Sequence, residues 1–217
     1  MKKINWKYAI GELIIVILGI TIAFSLNNWK ESRAGSRLRT QYLENMRTDI
    51  EAEIIQLHSS DSLIQGKLQS IQQIRPFLGR NGVRRDTIAS KVFDLARLVS
   101  FDPENTTYQV LINSGDLKLI NDLQLRRNIE EHYALHSSVL KDYERIEEIH
   151  RKYVADFFMS HVDFEKIRLG DADFLDHPQL RNIINSLEGA FFLVLQANAR
   201  CMRSDSSLLS KITIEIH

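Results

Sequence analysis

Cysteine, proline and net charge are what this sequence has least of. A single cysteine, Cys201, in 217 residues excludes an intramolecular disulfide and any zinc site built on several cysteines. Three prolines and nine glycines are too few for an architecture of short strands and tight turns, and the abundance of Leu, Ile, Glu, Gln and Arg favours helix. Lysine and arginine together number 28, as do aspartate and glutamate, so the chain lacks the overall positive field that nucleic acid selects. No nucleic-acid partner is expected. One short apolar segment is followed by enough chain for one domain with a real core, and the expected class is all-α.

The apolar segment is "YAIGELIIVILGITIAFSLNNW", Tyr8 to Trp29. From Tyr8 to Leu26 about nineteen residues carry a single charge, Glu12, the length a helix needs to cross ~30 Å of hydrocarbon. Trp6, Tyr8 and Trp29 flank it, where amphipathic rings settle at headgroup level. A cleaved signal peptide is the competing reading, with Lys2, Lys3 and Lys7 as its basic region and Ala23-Phe24-Ser25 as a loose cleavage site. The length of the run and the Trp29 anchor favour a retained span. Basic residues lie on both sides, so orientation rests on the short basic amino-terminus, which as a signal anchor stays in the cytoplasm and puts the large domain outside. Only about seven residues then remain inside, so a signal would have to pass laterally through a partner's membrane helix.

At 100° per residue Tyr8, Glu12, Gly19 and Ala23 share one stripe of this helix. Gly19 and Ala23 form a small-xxx-small pair that admits a second helix, and Glu12 in the same stripe would face that neighbour. The partner is a second copy or another membrane protein. The bland alternative has Glu12 snorkelling to the headgroups or protonated in place.

Beyond Trp29, Leu43, Ile50, Leu57, Ile64, Ile71 and Leu78 recur every seven residues, with Met46, Ile54 and Leu68 on the same face. This predicts a long helix from about Ser36 to Leu78, able to continue directly from the membrane helix. Asp86 would cap a shorter helix to about Val99, and Asp102-Pro103-Glu104 would open another that ends at Gly115. A second long helix, about Asp122 to His161, carries Leu125, Ile129, His132, His136, Val139, Tyr143, Ile146, His150, Tyr153 and Phe157 at four-three spacing. A third repeats it at Leu180, Ile184, Leu187, Phe191, Val194, Asn198, Cys201, Asp205, Leu208 and Ile212. The terminal "KITIEIH" reads as a short strand or a frayed tail. The expected organisation is a membrane anchor, residues 1–29, and a bundle of three long helices plus short ones, residues 30–217.

His132 and His136 lie one turn apart and could share a metal; His150, about 21 Å further along the helix, cannot join them. Three alternatives stand for these histidines. They are buried groups bonded to Asp61, Asn198, Asp205 or water, they bind metal, or they sense pH by charging within a packed seam. Glu147 and His150 make one Glu-x-x-His, but a di-iron bundle needs two copies and further carboxylates. Cys201 reads as a small apolar filler. The sequence contains neither a nucleophile elbow nor a phosphate-binding loop, and Arg80 to Arg85 reads as a solvated basic turn. No catalytic residue and no cofactor is inferred.

Two stretches carry a family resemblance: the opening Tyr-Ala-Ile-Gly-Glu with its Asn-Asn-Trp exit, and "TYQVLINSGDLKLINDLQLRRNIEEHY". Together they resemble an uncharacterised family of small bacterial single-pass membrane proteins. The resemblance implies that Gly11, Glu12, Asn27, Asn28 and Trp29 belong to a shared feature, and it implies no activity. The expectation is a scaffold, sensor or accessory subunit in the bacterial inner membrane, with its bundle on the periplasmic side.

Overall fold

The computed structural model describes residues 6–79 and 85–216, with side chains from residue 10 onward. Of the basic stretch Arg80 to Arg85, residues 80–84 lie outside the described residues, as does the Tyr8 side chain; Arg85 is not a solvated turn residue but begins a helix, mostly buried and paired with Asp176 at 2.9 Å. Every regular element described is helical.

Helix α1 runs unbroken from Trp6 to Ile74, 69 residues, about 100 Å at 1.5 Å per residue. It passes through Trp29 without a turn, because no proline interrupts the sequence before Pro76. Pro76 lies in a 3-10 turn, Arg75–Phe77, and Gly79 follows at φ +72°, a left-handed conformation that costs glycine little. A side chain at Gly79 would also meet Arg181, whose Nη2 donates to the Leu78 carbonyl at 3.1 Å.

The chain then returns along α1 through two short helices, α2 (Arg85–Leu95) and α3 (Thr106–Asn113). Lys67 on α1 donates to the carbonyls of Asp94 and Arg97 at 2.6 and 2.8 Å, closing the carboxyl end of α2. Helix α2 therefore stops at Leu95 and not near Val99 as expected. Nor does a helix open at Asp102-Pro103: the backbone stays irregular to Asn105 while Phe101 and Pro103 are buried. Helix α3 starts at Thr106, and Asp49 of α1 accepts from the Thr107 N–H at 3.4 Å. Tertiary packing overrides the local start signal there. Gly115 does end α3, at φ +72°.

Helix α4 (Leu123–Ile149) begins as expected, with Asp122 accepting from the Gln124 and Leu125 N–H groups at 2.7 and 3.2 Å. A π turn, His150–Val154, joins it to α5 (Ala155–His161). The four-three series placed Tyr153 on the buried seam. The π turn inserts one residue, so Val154 is buried and Tyr153 faces solvent. A short α6 (Phe164–Arg168) and a 3-10 turn lead to α7, Pro178–Ile216. Helix α7 runs straight through "KITIEI", so the expected strand or frayed tail is helix. Ile212 on the apolar seam keeps this end docked.

Helices α1 and α4 run in the same direction and α7 runs against both, packing along each of them. The core is in two parts. The smaller contains Leu43, Met46, Ile50, Leu125, Ile129 and Leu208, near the apolar end of α1. The larger contains Leu57, Ile64, Val139, Ile146, Phe191 and Val194. Between them lies a polar layer.

Candidate functional site

Glu53 of α1 stands between Ile50, which packs in the smaller core, and Leu57, which packs in the larger. His136 of α4 stands in the same way between Tyr133 and Val139. On α7, Cys201 and Asp205 are one turn apart on one face, so both side chains enter the gap. All four are buried, from 0 to 4% exposed, and their potential ligand atoms lie within 4.8 Å of one another.

Little here is satisfied. Cys201 Sγ donates to Glu53 Oε1 at 3.2 Å. His136 Nε2 approaches the same oxygen at 2.7 Å without completing a hydrogen bond. His132, one turn before His136, places Nδ1 3.0 Å from Ser204 Oγ and 3.6 Å from Asp205 Oδ1. Glu53 Oε2, both oxygens of Asp205, both nitrogens of His136, His132 Nε2 and the Tyr133 hydroxyl have no hydrogen-bond partner among the described residues. Unpaired buried atoms cost about 1–3 kcal/mol each, so a cluster of them calls for a reason.

The titration of the layer follows from burial. Burial, then the neighbouring charge of Glu53, pushes the Asp205 carboxyl up to about 8. Burial, then the charges of Asp205 and Glu53, raises the Cys201 thiol far above its ordinary value. Burial, then the charge of His136, pushes His132 down to about 3. His132 and Asp205 thus face each other as neutral groups near neutral pH, and their 3.6 Å approach is no ion pair.

A second polar layer lies two turns further along α1 and α4. Ser60 Oγ and the Tyr143 hydroxyl are 2.7 Å apart, Tyr143 donates to Asn198 Oδ1 at 3.0 Å, and Asn198 Nδ2 donates to Asp61 Oδ1 at 2.7 Å. Each of these side chains finds a partner within the ladder.

The histidines separate as their spacing required. His132 and His136 share the first layer, their rings 4.5 Å apart. His150 opens the π turn and lines a surface hollow of about 910 Å³ with Glu144, Glu147 and Arg151. Of the partners expected for them, Asp205 faces His132, whereas Asn198 and Asp61 belong to the ladder. Cys201 is not merely an apolar filler, because its sulfur meets a carboxylate. Glu53 was missed, although it interrupts an apolar series at a seam position. On the apolar stretch of α1, Glu12 and the helix around Gly19 and Ala23 are exposed, and nothing among the described residues lies within 4 Å of a side chain built at Gly19.

Comparison with curated proteins and with solved structures gives no match. A family match runs from Glu12 through α3 to Val139, taking in Glu53 and His136 but neither Cys201 nor Asp205. It covers residues 12–139, more than half of the chain, and the protein belongs to this family of unknown function, DUF6090.

Proposed function

We propose that the protein is a single-pass membrane-anchored helical bundle acting as a scaffold, sensor or accessory subunit, through helix-helix contacts with a second copy or another membrane protein. The carrying observation is the continuity of α1. It is the one described helix long and apolar enough to cross a membrane, and its apolar side chains from Ile10 to Leu26 are at least half exposed. The same helix supplies Leu43 to Ile74 to the bundle core. A rigid rod shared by span and bundle carries tilt or rotation from one to the other.

The two parts lie close together. Arg33 stacks over the Trp29 ring, its guanidinium carbon 5.0 Å from the centroid, and Arg39 already pairs with Glu215 of α7 at 2.8 Å. About ten residues, roughly 15 Å of helix, separate the aromatic end of the span from the first cross-bundle ion pair. The carboxyl end of α7 and the α3–α4 connection therefore sit nearest the bilayer, among Lys30, Arg33, Arg37 and Arg39. The bacterial inner membrane with the bundle in the periplasm is the setting the opening signature supports. Contacts between spans would use Glu12, Gly19 and Ala23, with Tyr8 on the same stripe.

A topology reporter fused after His217 tests the compartment. For the contacts, crosslinking and pull-down from membranes compare the wild type with Glu12→Gln and Gly19→Ile. Association is expected to weaken in both variants, and unchanged association in both would sink the proposal.

A further inference from the structure

We propose that Glu53, His136, Cys201 and Asp205 form a closed structural site for a divalent transition metal of the zinc class, which staples α1, α4 and α7 at the junction of the two core halves.

The argument begins from chemistry that the protein alone leaves incomplete. Carboxylates accept and do not donate when ionised, a thiol is a weak donor, and a neutral imidazole has one N–H. This layer holds two carboxyl groups, a thiol and two imidazoles in a geometry that leaves Glu53 Oε2, both oxygens of Asp205 and both nitrogens of His136 unpaired among the described residues. The neighbouring ladder shows that this interface can satisfy polar groups when their chemistry matches. A cation supplies what the first layer lacks.

The donor set selects among cations. Thiolate and imidazole exclude calcium and magnesium, which take oxygen ligands, and suit zinc or its four-coordinate neighbours. A tetrahedral zinc site with bonds of about 2.0–2.3 Å holds its donor atoms about 3.3–3.8 Å apart. Four atoms already within 4.8 Å, one pair at 2.7 Å and another at 3.2 Å, reach that geometry by side-chain adjustment. Burial of all four ligands leaves no room for a substrate, so the site is structural.

Binding is ligand exchange without electron transfer. The hydrated dication gives up its waters. Cys201 releases its thiol proton to solvent as the sulfur-metal bond forms, and any proton on the coordinating carboxyl oxygens follows. His136 contributes the Nε2 lone pair, and Glu53 and Asp205 one oxygen each. Three anionic donors on a dication leave one net negative charge. Beside it stands His132, 3.6 Å from Asp205, placed to donate to that carboxylate and fix its orientation.

Elemental analysis of the untagged full-length protein, purified from membranes in detergent, tests the site. About one zinc per chain is expected. Removing it with a chelator should lower the thermal midpoint, and added zinc should restore it. Replacement by cobalt(II) should give a thiolate charge-transfer band. Cys201→Ser and His136→Gln should each lose occupancy at least tenfold, and Cys201→Ser should lose the band while keeping its helical circular dichroism. Tyr143→Phe in the ladder should keep both, which separates loss of a ligand from general loosening of the bundle. Substoichiometric metal, with no response of the midpoint to added zinc, would overturn the site, as would a Cys201→Ser protein that stays folded and fully loaded.

Discussion

The two polar layers use the same three helices, lie seven residues apart on α1 and α4, and differ in how their polar atoms are paired. In the ladder of Ser60, Tyr143, Asn198 and Asp61 each donor meets an acceptor, because hydroxyls and an amide can play either part. In the layer of Glu53, His132, His136, Cys201 and Asp205 most polar atoms stay unpaired among the described residues. Ser60, Tyr143 and Asn198 are buried like the members of the other layer, and Asp61 is half-buried. At similar depth, polar groups in a helical seam are cheap or costly according to whether each donor meets an acceptor.

That contrast can be broken most forcefully at its satisfied end. Asn198→Leu removes the middle of the ladder, taking the acceptor from Tyr143, which keeps only Ser60, and the donor from half-buried Asp61, so it should cost about 3 kcal/mol in chemical denaturation. Tyr143→Phe keeps the ring packed on Phe101 and removes one hydroxyl, for an expected loss of about 1–2 kcal/mol by the same measurement.

At the unsatisfied end the expectation reverses. In metal-stripped protein Asp205→Asn should change stability by less than about 0.5 kcal/mol, because the native carboxyl has no hydrogen bond to lose. A loss as large as that of Asn198→Leu would erase the distinction between the layers.

The smallest effect is expected outside both layers, at His150. Burial, then the charge of Lys67 on α1, lowers its pKa from the ordinary 6.5, and Glu144, Glu147 and Arg151 line the same hollow. With a lowered folded-state pKa, its contribution is present above pH 6.5 and is lost as pH falls through the folded value. Thermal midpoints of wild type and His150→Asn between pH 7 and 5 should therefore converge on acidification. Parallel curves would remove His150 from the account.

Apolar periodicity made much of this legible. Leu43, Ile50, Leu57, Ile64, Ile71 and Leu78 are all buried, as are the seam residues read on α7 from Leu180 to Ile212. The Asp122 cap and the Gly115 stop were readable because their chemistry is local. The exceptions share a physical cause. The start of α3 is set by Asp49 and the end of α2 by Lys67, each from far along the chain. The π turn moves burial from Tyr153 to Val154, which no fixed period anticipates. Glu53 escaped because a pattern search weights apolar residues, so a glutamate among Ile50, Ile54 and Leu57 reads as a solvent-facing charge.

By itself, then, the sequence determined the helical class, the long apolar start of α1, the two later long helices and their buried faces, because helix periodicity and capping act over a few residues. Only the tertiary structure decided the axial register of α1 against α4 and α7. Register is a property of residues more than eighty positions apart, and no local pattern encodes it. It brought Glu53 level with His136, Cys201 and Asp205, and by the same alignment brought Ser60 level with Tyr143 and Asn198.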